Sequence, residues 1–204
     1  MPLKAIALNS SLKKSSDEPS STDKMIELIT AELKKVGVEF AGTIRLADHN
    51  IFPGVKSDEG EGDAWPALRS RILAADILIF GGPIWMGQPS SIAKRVLERM
   101  DAFLSETDDR GRTPAYGKVA ICAIVGNEDG AHFCTAAIFQ ALNDVGWTIP
   151  AAAACYWVGE AMHKTDFKDL PNVPKVISDA AMMTASNAAH LAKALQSGNY
   201  LGQP

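Results

Sequence analysis

Three segments of this 204-residue chain carry the residue types that could hold a ligand. The first, residues 9–23 (NSSLKKSSDEPSSTD), brings together the hydroxyls of Ser10, Ser11, Ser15, Ser16, Ser20, Ser21 and Thr22 and the ammonium groups of Lys13 and Lys14. Hydroxyl donors and free backbone N–H groups at the positive end of a helix make a cradle for a phosphate. Neither GxxxxGK[ST] nor GxGxxG is present, and a Ser/Thr-rich stretch taken alone reads equally well as a flexible linker. The second segment, residues 81–91 (GGPIWMGQPSS), pairs glycines that let backbone approach a ligand with two prolines that stiffen it. Trp85 and Met86 give it a flat apolar surface, suited either to a planar ring or to packing on the core. In the third, residues 125–133 (VGNEDGAHF), Gly126 and Gly130 again permit close approach. Asn127 can donate and accept at the edge of a heterocycle. His132 reads either as a neighbour of the same pocket or as a surface histidine, and Asp129 as the N-cap of the next helix.

The elements that must position these segments alternate along the chain. Strands are expected at residues 3–9, 38–45, 77–80, 119–125 and 148–156, the third and fourth fully apolar and therefore central in a parallel sheet. Helical spacing of apolar residues predicts helices from residues 20–23 to Gly37, over 64–75, from Ser90 or Ser91 to Phe103, from Gly130 to Gly146, and over 172–196. Five strands alternating with five helices predict an α/β domain over residues 1–204: a flavodoxin-like three-layer sandwich whose five-stranded parallel sheet has order 2-1-3-4-5 with helices on both faces. In that order the chain reverses direction between strands one and three, and ligands bind outside the carboxyl ends of strands at such a point. All three chemistry-bearing segments fall there. The acidic stretch 46–63, with Asp58, Glu59, Glu61 and Asp63, reads as a solvated loop rather than a metal site.

Composition narrows the function classes. Twenty Lys and Arg against 24 Asp and Glu give a net charge of −4, which lacks the basic face a nucleic-acid binder needs. Cys122, Cys134 and Cys155 form no CxxC pair, so neither a disulfide framework nor a structural zinc site is expected, and a reducing compartment is. Cys122 and Cys155 read as buried strand residues; Cys134, in a helix's first turn, reads as a core residue or as a thiol of lowered pKa. The apolar stretch at residues 149–162 is interrupted by Glu160 and is too short to span a bilayer. The expectation is a soluble cytoplasmic domain.

Read together, the first segment suits a phosphate, the second a planar ring and the third the polar edge of that ring, and flavin mononucleotide (FMN) has those three parts. At this point the sequence resembles the flavodoxin-like NAD(P)H-dependent FMN reductases and NAD(P)H:quinone oxidoreductases. The resemblance is carried by residues 9–23, by GGPIWMGQPS and by GNEDGAH, and covers residues 3–160. It implies that Ser10, Leu12, Ser21 and Thr22 hold the FMN phosphate. It also implies that Pro83, Ile84, Trp85, Met86 and Gly87 flank the ribityl chain and ring, and that Gly126, Asn127, Gly130 and His132 lie on the pyrimidine side. The first loop is longer and less glycine-rich than in many members, and residues 46–63 lack the cysteines an iron–sulfur cluster would need.

The chemistry so implied is hydride transfer from NAD(P)H to the flavin and onward to a small-molecule acceptor, a quinone or a flavin. The cofactor carries it, with Trp85 and Trp157 as candidate walls of the open face. A homodimer or homotetramer is expected from the resemblance, with residues 103–116 as a candidate contact. The alternative is a flavodoxin-type electron carrier without nicotinamide turnover, and a third reading is a cofactor-free interaction module. A phosphorylated receiver domain is disfavoured because the strand ends read Asn9-Ser10 and Gly81-Gly82 rather than acidic. A serine hydrolase is disfavoured because no GxSxG elbow occurs.

Overall fold

The two most apolar runs of the chain lie at the centre of the sheet. In the computed structural model, which describes residues 2–160 and 163–203, β3 (Ile77–Trp85) and β5 (Val119–Gly126) pair in parallel from Ile77↔Val119 to Pro83↔Val125. β1 (Lys4–Asn9) lies on the other side of β3, then β2 (Glu39–Arg45) outside β1, and β6 (Ala154–Val158) outside β5. The five strands are parallel and follow the expected order. β4 (Gln88–Pro89) is an addition: it folds back antiparallel on the end of β3 and takes no place in the main sheet.

Alternation along the central strands divides the core into two layers. Leu78 and Phe80 of β3 with Ala120, Cys122 and Ile124 of β5 point toward α2 (Trp65–Leu73), α3 (Ser91–Met100) and α4 (Ala131–Asp144). Ile77 and Ile79 with Val119, Ile121 and Ala123 point toward α1 (Ser21–Lys35) and α5 (Lys175–Ser197). The small residues Ala181, Ala185, Ala188 and Ala192 let α5 lie close on the sheet beside α1. Burial raises all three thiols, Cys134 to about 11 and Cys155 to about 12, so Cys134 is a core residue and its helix position does not activate it.

Two strands differ from expectation. β3 runs on to Trp85 because Gly81, Gly82 and Pro83 stay in the ladder with β5, although glycine and proline signal a break. The last strand begins at Ala154 rather than at residue 148. Thr148 makes one bridge to Val119, and the chain then leaves the ladder in a turn with Ala152 at φ 52°. The carbonyls of Ala151 and Ala152 accept from Asn187 Nδ2 and Thr184 Oγ1 of α5 (both 2.8 Å), which fixes that excursion. Gly42 of β2 sits at φ 113° in a bulge where the β1–β2 register shifts. The final helix starts at Lys175, three residues later than expected, and residues 161 and 162 at the end of the apolar stretch lie outside the described residues. Among the described residues no helix is long and apolar enough to cross a membrane.

The acidic segment before α2 is held by one buried ion pair. The side chains of Arg99 of α3 and Asp63 are both shut off from solvent and meet at 2.7 Å. Arg99 also donates to the carbonyls of Phe52 (2.9 Å) and Lys56 (2.8 Å), and Asp63 accepts from the backbone N–H groups of Phe52, Glu59 and Trp65. Burial alone would raise the Asp63 carboxyl; Arg99 and the three N–H donors outweigh it and hold the group at about 2, below its ordinary 3.8. A lowered carboxyl stabilises the fold above its unfolded pKa. That contribution is therefore complete above about pH 4 and disappears as pH falls through about 2. Asp63→Asn leaves the Arg99 charge buried without its partner and should cost about 3–5 kcal/mol in urea unfolding at pH 7; a change near zero would show that the segment does not depend on this pair.

Candidate functional site

The site begins where β1 ends. Asn9 is fully buried and its side-chain amide binds three ways: Nδ2 donates to Ser20 Oγ (3.1 Å) and Asp23 Oδ1 (2.6 Å), and Oδ1 accepts from the Ser11 N–H (2.9 Å). Ser20 caps α1 in a capping box: its hydroxyl accepts from the Asp23 N–H, and the Asp23 carboxylate accepts from the Ser20 N–H. Arg45, from the end of β2, pairs with the same carboxylate and donates through Nη1 to Ser11 Oγ (3.2 Å) and the Lys13 carbonyl (3.0 Å). The exposed loop between β1 and α1 is thus held at both ends by groups from β1, β2 and α1.

That arrangement leaves donors free. Among the described residues the backbone N–H groups of Leu12, Lys13, Ser21 and Thr22 have no partner within the chain. Two of them are the first N–H groups of α1, at the positive end of a 15-residue helix. They border a cleft of about 250 Å³ over the carboxyl edge of the sheet. Its opposite wall is Pro83, Ile84 and Trp85 from β3, with Gly126, Asn127 and Glu128 following β5 and Trp157 of β6 beside them.

Eight of the expected ligand-binding positions therefore meet in one cleft: Leu12, Ser21, Thr22, Pro83, Ile84, Trp85, Gly126 and Asn127. Five do not line it. Ser10 is buried beneath it, where its N–H and hydroxyl both donate to the Gly81 carbonyl (2.9 and 2.8 Å) and its own carbonyl accepts from Ser90 Oγ (2.6 Å). It joins the first loop to the second. Met86 and Gly87, at φ 51° and 73°, form the two-residue turn between Trp85 and Gln88; Met86 is 89% exposed and its N–H donates to the Glu128 carboxylate (2.9 Å). Gly130, at φ 128°, lies against Gly87: a Cβ there would come within 2.7 Å of the Gly87 Cα. The close approach these two glycines permit is of one loop to the other. His132 stands on the surface of α4 and shares a 2.9 Å hydrogen bond with the Tyr156 hydroxyl.

One wall was not read from the sequence. Residues 166–168 fold back over the cleft after β6, and Phe167 is fully buried against Trp157 with ring centroids 5.5 Å apart. The Lys168 N–H donates to Ser21 Oγ (3.1 Å), and Lys24 of α1 donates to the carbonyls of Lys168 and Leu170. The signal available was a lone Phe among charged residues just ahead of the proline-bracketed Pro171-Asn172-Val173-Pro174. Asp166, beside it, lies within 3.5 Å of Asn127 Nδ2.

A doubly wound sheet with an unpaired N–H cradle at its switch point and aromatic walls defines a flavodoxin-like, nucleotide-binding class. Residues 3–162 match the model of the NADPH-dependent FMN reductases, and the chain belongs to that family. Over 163 residues, 78% of this chain and 24% of the relative, it is 42% identical to the divalent metal cation transporter MntH of Mycobacterium bovis (strain ATCC BAA-935 / AF2122/97). Over 170 residues, 79% of this chain and 65% of the relative, it is 33% identical to 8-demethyl-8-aminoriboflavin-5'-phosphate synthase of Streptomyces davaonensis. The chain thus spans about a quarter of the length of one curated relative and under two thirds of the other. A crystal structure of RosB with bound 8-demethyl-8-formylriboflavin-5'-phosphate superposes with a TM-score of 0.85 at 30% identity, over 97% of this chain and 82% of that one.

Removing the Asn9 side chain tests the first loop directly. Asn9→Ala strands the Ser11 N–H and takes a donor from Asp23, so urea unfolding should show a loss of about 2–3 kcal/mol; a loss below 0.5 kcal/mol would mean that water replaces the amide freely and that the loop is not held from β1.

Proposed function

We propose that this chain is an FMN-dependent oxidoreductase that takes hydride from NAD(P)H and delivers electrons to a small organic acceptor such as a quinone or a free flavin. The observation that carries the reading is the set of four unpaired N–H groups, two in the loop after β1 (Leu12, Lys13) and two at the start of α1 (Ser21, Thr22), facing a cleft walled by Trp85 and Trp157. A phosphate dianion satisfies those donors and the helix end together, and the Thr22 hydroxyl, which has no partner among the described residues, adds a fifth. The planar ring would lie along Ile84 and Trp85, with its polar edge toward Asn127. The N–H groups of Asn127 and Glu128, unpaired among the described residues, are placed to stabilise negative charge there.

FMN, when bound, supplies two-electron transfer between a nicotinamide and an acceptor. The chain's own residues bind, orient and screen: Arg45, paired with Asp23, braces the first loop through the Lys13 carbonyl, and Phe167 and Trp157 close the side of the cleft against water. Hydride transfer needs no side-chain acid or base, which agrees with His132 standing outside the cleft. Trp85 at 52% exposure and Met86 at 89% form an apolar rim beside the cleft, suited to a second copy of the chain in a homodimer. Of the segment 103–116, Phe103 and Ala115 are buried in the core and Leu104 is exposed, so that segment offers less.

A second reading is favoured by the similarity to the aminoriboflavin phosphate synthase and to RosB: the flavin phosphate in the cleft is a substrate that leaves altered. The experiment is to mix the protein with FMN, desalt it, record its absorbance, then add NADPH or NADH anaerobically and finally a quinone. Bands retained near one flavin per chain, bleached by a nicotinamide and restored by quinone, with the extracted flavin unchanged in mass, are expected. Retained bands that no nicotinamide bleaches indicate an electron carrier, a flavin changed in mass indicates the synthase reading, and a colourless protein overturns flavin binding altogether.

Ser21→Pro removes one cradle N–H without breaking the helix, and Ser21→Ala, which removes only the hydroxyl that accepts from the Lys168 N–H, is its control. Position 21 is the first helical residue, where proline is favoured, and Ser20 is already extended at φ −95°, ψ 157°. FMN affinity should fall about tenfold, the size of a lost charge-assisted hydrogen bond, with far-UV circular dichroism unchanged; unchanged affinity would place the phosphate elsewhere.

A further inference from the structure

Beside the cofactor cleft, on the other side of Leu12, lies a second cavity of about 210 Å³. Its floor is apolar, made by Leu46 and Ile51 after β2 and by Ile92 of α3. Three cationic or ionisable side chains line it: Lys14 from the first loop, His49 after β2, and Arg95 from α3. They come from three separate elements, on a chain whose net charge is −4.

None of the three is in an ion pair. Among the described residues neither Lys14, His49 nor Arg95 has a carboxylate within 4.0 Å of its side-chain nitrogens. Arg95 spends Nη1 on the Ile51 carbonyl (3.2 Å), which orients the guanidinium and leaves its other donors free. Of the neighbouring acids, Glu98 pairs with Lys94, whereas Asp48 and Asp17 keep their charge and are turned to neutral donors, Asp48 to the Ser15 N–H and hydroxyl and Asp17 to the backbone N–H of Lys14. A lysine, an arginine and a histidine from three elements, none of them in an ion pair, converge on an apolar hollow.

We propose that this cavity is a binding site for an organic phosphomonoester, its dianion held by Lys14, Arg95 and His49 and its apolar body resting on Leu46, Ile51 and Ile92. Arg offers a fork that matches phosphate oxygens, Lys a point charge, and His a donor from either ring nitrogen. The site is separate from the N–H cradle of α1, but Leu12 lines both cavities. A ligand here therefore touches the wall of the cofactor cleft. Two sources carry the required group: the 2′-phosphate of a nicotinamide donor reaching across Leu12, or a free phosphorylated metabolite. The site stands on its own residues and does not depend on the flavin reading.

The test is calorimetric titration of phenyl phosphate, adenosine 2′-monophosphate and adenosine into the protein with FMN in excess, so that the first cradle is filled, and again without FMN. Both phosphomonoesters are expected to bind and adenosine not to. Arg95→Gln and Lys14→Gln should each weaken phosphomonoester binding about tenfold while leaving FMN affinity, read by flavin fluorescence, unchanged. Lys14 is exposed and makes no side-chain hydrogen bond among the described residues, so Lys14→Gln tests the site even if Arg95→Gln fails to fold. Absence of phosphomonoester binding, or binding indifferent to both substitutions, overturns the site whether or not FMN binds. Loss of FMN affinity in Lys14→Gln also overturns it, because the cavity would then belong to the cofactor cleft. Binding that persists in a protein that fails to retain FMN upholds the site and removes the flavin reading alone. Where binding is found, competition between adenosine 2′-monophosphate and NADPH, with the KM for NADPH and not for NADH raised in Arg95→Gln, assigns the phosphate to the donor, and lack of competition assigns it to a separate metabolite.

Discussion

The Asp23 carboxylate is the point on which the ligand-facing edge of this protein depends. It accepts from the Ser20 N–H, the Ser20 hydroxyl and Asn9 Nδ2, and pairs with Arg45. Those donors belong to the start of α1, the end of β1 and the end of β2. Removing such a carboxylate from water is costly, and one ion pair seldom offsets the cost; several directed donors do. The same set of bonds fixes where α1 begins, so the first N–H groups of the helix are presented toward the cleft rather than lost to an alternative turn. A phosphate arriving there finds donors already oriented and spends little binding energy on ordering the loop. The long Ser/Lys-rich stretch between β1 and α1, flexible by composition, is made a fixed structure by contacts at its two ends.

How much of this was legible follows from where the determining contacts lie. β3 and β5 were readable because burial on both faces leaves no polar alternation, and their central place then fixed the strand order and the switch point. Thr22 and Asn127 were readable as cleft residues because one opens a helix and the other follows a strand at that point, whereas Leu12 and Ile84 were implied by the family resemblance. What escaped depends on pairings distant in sequence. The continuation of β3 through Gly81-Gly82-Pro83 is decided by β5, not by local propensity. Gly87 and Gly130 looked like ligand contacts because glycine signals close approach without saying to what; here it is to each other. Ser10 carries the right hydroxyl but turns it to Gly81, 71 residues away. Phe167 and Arg99 are buried residues in polar surroundings, and only the fold shows that one closes the cleft while the other holds the acidic segment.

The shape of the cleft follows from unequal strand lengths. β1 stops at Asn9, level with Gly81 of β3, while β3 continues for four more residues and turns back through Met86 and Gly87. The step between a short strand and a long one creates a hollow whose floor is sheet and whose far wall is a hairpin. The hairpin is tied to the loop after β5 by the bond from the Met86 N–H to Glu128 and by the Gly87–Gly130 contact. The two walls are built on different supports, one on the Asp23 cluster and one on the hairpin, and they are joined through the sheet, by the Ser10 bonds to Gly81 and Ser90, and by residues 166–168, which bond Ser21 on one side and Asn127 on the other. Such a design separates the part with free N–H donors from the part with the aromatic surface.

Charge along the cleft gives that separation a direction. The α1 end has unpaired N–H groups and the helix dipole, while its cations Arg45, Lys13 and Lys168 are each paired with a carboxylate, Asp23, Glu18 and Asp169. The other end carries two carboxylates, Glu128 and Asp166, beside Asn127 and the tryptophans. A ligand with a dianion at one end and a neutral planar body at the other is favoured in one orientation only, because the reversed pose would set phosphate against carboxylate and leave the N–H groups unpaired. The acids thus discriminate by repulsion as the cradle does by attraction. They also bear on what can share the cleft with a bound cofactor: a second anionic group near Glu128 and Asp166 is disfavoured, whereas a neutral acceptor, or a donor whose own phosphate lies away from those acids, is not. Lys14, His49 and Arg95 lie beyond Leu12, so the wall between the two hollows is an apolar side chain that lines both.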